Sequence, residues 1–193
     1  MAEYELLMTG IGGQGVQLGA QVVARAATVE DREVMYLGLY GGMMRGGNTD
    51  STVVVADGPI MAPPVVSRAW SAIAMHDEFF PPVEAKLRAG SLVLVNDPTF
   101  TSTVRDDVTV ERLAATTIAG DLGNPMGGSM VMLAAYAALT GIVERDALVE
   151  GMRESIPPYR TQHIEANERA IAAGWDLLPA GEHPAWERSA AHA

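Results

Sequence analysis

The chain has 193 residues, 48% hydrophobic and 19% charged, long enough to fold as one domain and bury roughly 70% of its unfolded surface. It has no cysteine, which excludes a disulfide framework, a thiolate zinc site and a Cys-ligated iron–sulfur cluster within this polypeptide. Its 24 acidic residues outnumber 13 basic ones, Lys86 is the only lysine, and the net charge of -11 is the opposite of a nucleic-acid footprint. The start MAEYELLMTG has no basic segment leading into a long apolar one, and no run reaches the ~18 apolar residues of a membrane helix. A cytoplasmic protein without membrane contact is expected.

Residues 4–9, YELLMT, predict a strand, and GIGGQGV follows at residues 10–16. From about Gln14 onward, Val16, Gly19, Ala20, Val23 and Ala27 fall on one face of a helix. Gly10, Gly12 and Gly15 satisfy G-x-G-x-x-G, which permits a tight turn, approach of a ligand to bare backbone and close packing of helix on strand. The first amides of a helix lack intrahelical partners, so this turn can seat a phosphate or another anion. The same glycines also suit a turn that binds nothing, and spacing alone leaves both open. A strand at residues 34–37 comes next, where a dinucleotide site should end on an Asp or Glu for the ribose. No acid stands there, and Glu33 precedes the strand. Instead the chain enters GLYGGMMRGGN (residues 38–48), whose five glycines, Arg45 and Asn48 make either a ligand-facing loop or a solvent loop with an incidental arginine.

Residues 51–56 are a β-branched strand closed by Asp57-Gly58-Pro59. Residues 71–75 predict a buried strand ending at His76-Asp77. A helix at residues 82–88, with Gly90 past its end, leads to a central strand at 91–95 that stops at Asn96-Asp97-Pro98. Strand, helix, strand implies a right-handed crossover and parallel pairing. His76-Asp77 and Asn96-Asp97 stand at carboxyl ends of strands, where ligands gather, although caps and turns are the commoner use of such residues. His76 shares no metal-ligand spacing with His163, His183 or His192, so neither a metal site nor a catalytic residue is assigned. Weak patterns predict strands at 108–110 and 117–119 and a loop at 120–125. Residues 129–139 are apolar on every side, a helix buried from several directions and ended by Gly141. Further helices are expected at 145–155, before Pro157-Pro158, and from Thr161 as N-cap to Ala173, stopping at Gly174. Residues 1–178 then form one domain, and 179–193 a flexible or partner-bound tail. The fold class is α/β, Rossmann-like, with a mostly parallel sheet and helices on both faces.

Taken together, GIGGQGV, Tyr40-Gly41, Arg45-Gly46-Gly47 and Gly58-Pro59-Ile60 resemble the gamma subunit of the 2-oxoacid:acceptor oxidoreductases, the pyruvate and 2-oxoacid:ferredoxin oxidoreductase family. Ala119, Leu122-Gly123-Asn124, Met130-Val131, Thr140-Gly141, Asn167, Ala170 and Gly174 continue the resemblance over residues 4–178. The chain departs from it at Met44, where members commonly carry an acid, and at Ser129, where they carry Asn. The resemblance implies a subunit inactive alone, in a complex that converts a 2-oxoacid and coenzyme A to acyl-CoA, CO2 and electrons. Thiamine diphosphate with Mg and iron–sulfur clusters would sit in alpha, beta and, where one exists, ferredoxin-like delta subunits, with ferredoxin or another acceptor taking the electrons. Gly12, Gly13, Gln14 and Gly15 would offer backbone contacts to an anion of coenzyme A. Arg45, Gly46, Gly47 and Asn48 would approach the active site or a neighbouring subunit. The alternatives are a free-standing NAD(P)-dependent dehydrogenase and a coenzyme A- or nucleotide-binding regulator.

Overall fold

The computed structural model describes residues 2–40, 46–61 and 65–186. Its strands form one six-stranded sheet among these residues, in the order β2-β3-β1-β4-β5-β6. They are β1 (Glu3–Ile11), β2 (Glu33–Tyr40), β3 (Asn48–Ala56), β4 (Ala69–Ala74), β5 (Leu87–Asn96) and β6 (Thr109–Leu113). β1, β4, β5 and β6 are parallel neighbours, and β3 runs antiparallel between β1 and β2. The helix α1 (Val16–Val29) therefore crosses over to a strand two places away, and β3 returns to fill the gap.

Alternation decides what each face buries, because successive side chains of a strand point to opposite sides. Leu6, Met8, Val53, Val55, Ile73, Leu92 and Leu94 face one core with α1, α4 (Gly128–Thr140), α5 (Arg145–Ser155) and α6 (Ile164–Trp175). Leu7, Val54, Ala72, Ala74, Val93 and Val95 face a smaller second core. Among the described residues that side carries only the four-residue α2 (Pro81–Glu84), whose flank and body supply Phe80 and Val83, with Phe100 beyond a 3-10 turn at Asp97–Thr99. The sheet is thus α/β and mostly parallel as expected, with its long helices gathered on one face. No helix of the described residues is long and apolar enough to cross a membrane.

The burial expected for residues 129–139 holds in full: all 13 residues of α4 are buried, and α1, α3 (Ala115–Asp121), α5 and α6 pack around it. Gly141 ends it in the left-handed conformation, φ 61°. Three expectations need correction. The helix expected at 82–88 stops at Glu84, because Leu87 is claimed by β5 and pairs with Ala69, and Gly90, at φ 79°, lies inside that strand. The strand expected at 117–119 is the helix α3: Ala115 and Ala119 recur at helical spacing into the core, and Asn96 Oδ1, at the end of β5, accepts from Thr116 N and Oγ1. A remote cap overrides the β-branched run. The last helix begins at Ile164 after a 3-10 segment, Pro158–His163, and runs through Gly174 to Trp175. Gly174 is no terminator, since a Cβ there would lie 2.2 Å from the Val131 carbonyl oxygen of α4.

The segment beyond Leu178, expected as a mobile or partner-bound tail, lies on its own domain as far as Trp186. Gly181 N, His183 N and Ala185 N donate to the carbonyls of Ala138, Leu139 and Thr140. Those three carbonyls, with Ala137, which Gly141 N takes, are the four that a helix C-terminus leaves unpaired. Trp186 Nε1 donates to Ile142 O at 3.1 Å, and the Arg32 guanidinium stacks 3.9 Å from the centre of its ring. Residues 187–193 lie outside the described residues.

Candidate functional site

The glycine turn closes at the carboxyl end of β1. Gln14 fastens it: its Oε1 accepts from Ile11 N at 2.8 Å and its Nε2 donates to Met75 O, at the end of β4, at 3.2 Å. The Gln14 amide donates to Ile11 O, and Gly12 N donates to Gly47 O at 2.9 Å. Register places Ile11 opposite Asn48, so the two glycine stretches separated by some thirty residues in sequence meet side by side. Gly15 then turns left-handed, φ 78°, against α4; a Cβ there would sit 2.5 Å from Ser129 Oγ. The first intrahelical bond is Gly19 N to Gly15 O. The amides of Val16, Gln17 and Leu18 consequently meet no acceptor among the described residues.

Those amides open on a cleft of about 360 Å³. Gly12, Gly13, Gly15 and the first turn of α1 form one wall, while Ile156, Arg160 and His163, before α6, form the wall opposite. Leu18, Met126 and Ile156 supply its apolar part. Asn124 and Asn167 close its base, Asn124 Nδ2 donating to Asn167 Oδ1 at 3.1 Å. Among the described residues no Asp or Glu lines this cleft, and the two ionisable side chains that line it are an arginine and a histidine.

Gly12, Gly13 and Gly15 are on the cleft wall, but Gln14 is not: both its side chain and its amide are committed to holding the turn. Gly46 and Gly47 adjoin Gly12, whose built Cβ would come 3.6 Å from Gly46 N. Asn48 faces Asp50, Nδ2 donating to Oδ2 at 2.9 Å, and Asp50 Oδ1 accepts from Thr9 Oγ1 at 2.7 Å. Arg45 lies outside the described residues. Asn96 serves as a clamp between β4, the 3-10 turn and α3, donating to Met75 O and Thr99 Oγ1. Among the described residues no three His, Asp or Glu side chains converge as a metal site would require. Sequence reasoning missed Arg160, His163 and Met126. Their one signal was a basic pair just after Pro157-Pro158, and only the fold carries it across to the turn.

The inserted β3 bears on dinucleotide binding. In the doubly wound arrangement the second strand adjoins the first, and its acid reaches the ribose from there. Here β2 is one strand further out, and in sequence no acid stands between Glu33 and Asp50.

The glycine-turn α/β fold of this chain has counterparts among the gamma subunits of the oxoacid oxidoreductases. The chain belongs to the pyruvate ferredoxin/flavodoxin oxidoreductase family, whose sequence model matches residues 5–177. It is 30% identical over 184 residues to the 2-oxoglutarate synthase subunit KorC of Methanothermobacter thermautotrophicus, covering 92% of this chain and 96% of that one. The KorC subunit of Methanocaldococcus jannaschii is 29% identical over 177 residues, 90% and 92% of the two chains. The keto/oxoacid ferredoxin oxidoreductase gamma subunit of Geobacter sulfurreducens superposes with a TM-score of 0.78 at 26% identity, covering 91% of this chain and 95% of that one.

Proposed function

We propose that the chain is the gamma subunit of a thiamine-diphosphate-dependent 2-oxoacid:acceptor oxidoreductase, and that its glycine-turn cleft holds an anionic group of coenzyme A. The complex oxidatively decarboxylates a 2-oxoacid to acyl-CoA and CO2, and its electrons go to ferredoxin or another acceptor. Alpha and beta subunits, with a ferredoxin-like delta subunit where one exists, hold thiamine diphosphate with Mg and the iron–sulfur clusters. This chain has no cysteine to ligate a cluster, and alone it is inert toward 2-oxoacids.

The observation that carries the reading is the cleft: at the start of α1, amides without a partner among the described residues, and Arg160 and His163 across from them with no described carboxylate lining the space. Backbone N–H groups at a helix N-terminus and an arginine fork are the two common donors to phosphate, and excluding carboxylates removes the repulsion an anion would meet. The residues present fit a phosphate ester with an apolar arm: the amides of Gly13 and of Val16 to Leu18 take the phosphate, Arg160 balances its charge, and Leu18, Met126 and Ile156 flank the arm. Bound there, coenzyme A supplies the thiol that accepts the acyl group. The chain's part is to orient and retain it. Gly46, Gly47 and Asn48, beside the turn, and Arg45, before them, approach the active site that the neighbouring subunits complete.

Affinity purification from the native source tests this. Thiamine diphosphate and iron–sulfur subunits should come down with the chain, and the purified complex should oxidise 2-oxoacids only when coenzyme A is present. A clean homo-oligomer would sink the reading.

A further inference from the structure

β1 and β4 are parallel neighbours whose connections leave in opposite directions, through α1 toward β2 and through α2 toward β5. The crevice beyond their carboxyl ends is the switch point of the sheet, the place where ligands of open α/β sheets bind. The glycine turn occupies one lip of it. His76, the second residue after β4, occupies the other.

The backbone under His76 is held from four directions. Met75 N donates to Thr9 O at 2.9 Å, and Met75 O accepts from Gln14 Nε2, Asn96 Nδ2 and Thr99 Oγ1. The same glutamine that fastens the glycine turn therefore fastens the Met75–His76 peptide. The imidazole is oriented as well. Its Nδ1 accepts from Glu78 N at 3.1 Å and lies 3.3 Å from Asp77 Oδ1. The Glu78 contact takes the neutral ring with Nδ1 as acceptor, and in that tautomer Nε2 carries the hydrogen. No acceptor for it stands among the described residues, and the side chain is 26% exposed. A Cβ built on Gly13, in the turn, would meet nothing within 4 Å.

We propose that His76 Nε2–H donates to an oxyanion of the ligand bound at this crevice, a phosphate of coenzyme A or the carboxylate of the 2-oxoacid, on the far side of the Gly12-Gly13 backbone from the cleft. The inference rests on the anion-binding reading of the cleft and extends it past the turn. A donor mounted on so fixed a peptide selects an oxyanion by position at little ordering cost.

His76→Phe and His76→Gln in the co-expressed complex test it, with KM for coenzyme A and KM for the 2-oxoacid measured separately. His76→Phe should raise one of the two about tenfold, the loss expected of one hydrogen bond to a charged group, with kcat changed less than about twofold. His76→Gln, which keeps a donor, should recover most of that. Which KM moves tells phosphate from carboxylate. Unfolding midpoints of both variants account for the Glu78 contact. If neither KM moves in His76→Phe, or if Gln is as impaired as Phe, the proposal is overturned. Arg160→Ala, across the cleft, tests the coenzyme A reading separately: a higher coenzyme A KM there beside an unchanged His76→Phe defeats only the His76 step.

Discussion

Two helix ends in this molecule treat the same chemical problem in opposite ways. α4, apolar on every side and buried along its whole length, leaves four carbonyls at its C-terminus. Gly141 takes one and the strap of residues 181–185 takes the other three. α1 leaves the amides of Val16, Gln17 and Leu18 at its N-terminus, and among the described residues nothing takes them. They face a cleft instead. A buried polar group without a partner costs about 1–3 kcal/mol, so the chain commits a whole terminal segment to closing α4. Leaving α1 open is affordable where solvent or a ligand can reach it, and that is where the glycine turn lies. The difference separates two uses of a helix end: one is sealed for the fold, and the other stays accessible, as the proposed anion site requires.

The sealed end should yield the largest effect when broken. Truncation after Leu178 uncovers the carbonyls of Ala138, Leu139 and Thr140 and removes the buried Ala185 and the Trp186 anchor. Stability in urea should fall by about 3–6 kcal/mol. A midpoint unchanged within error would make the strap ornamental and erase the contrast. Next in size is Gly15→Ala, which places a Cβ in a left-handed residue and 2.5 Å from Ser129 Oγ. A loss of about 2 kcal/mol is expected from strain and overpacking together. Gly13→Ala, also left-handed at φ 108° but with open space around it, should lose less, and equal losses would deny Gly15 its packing role.

The smallest effect belongs to Asp77. Thr101 N–H above all, with its hydroxyl and Ser102, holds the Asp77 carboxyl below the usual carboxylate range. A carboxyl depressed in the folded state stabilises above its unfolded pKa and loses that contribution as pH falls through the folded value. Asp77→Asn should therefore cost about 1 kcal/mol at neutral pH and less in acid, read as a flatter stability profile below about pH 5. A constant offset across pH would assign the loss to shape instead of charge.

Much of this architecture was legible from residue patterns. α5 spans Arg145–Ser155 as the spacing predicts, Gly141 caps α4, and the buried strands fall where β-branched runs stand between turns. What was not legible depended on long-range partners. Nothing local distinguishes the return of β3 beside β1 from a parallel crossover, so the meeting of Gly12 with Gly47 could not be read. The run Thr116-Thr117-Ile118 has strand propensity until Asn96, twenty residues earlier, supplies a cap. Small, polar, proline-containing residues after Leu178 read as tail because their value lies in backbone N–H groups, which composition does not report; Trp186 was the one clue. At the candidate site the glycine wall was visible in sequence, while Arg160 and His163 are brought opposite it only by the packing of α6 on α4.

The central claim is that the open end of α1 and its facing arginine bind coenzyme A for an assembled oxidoreductase. Calorimetric titration of coenzyme A into the purified complex, wild type against Arg160→Ala, tests it most directly. Arg160 is exposed, so the variant should assemble and unfold as wild type does. The account predicts coenzyme A affinity about tenfold weaker in the variant, as one charge-assisted contact would give. Equal affinity in the two complexes would contradict it.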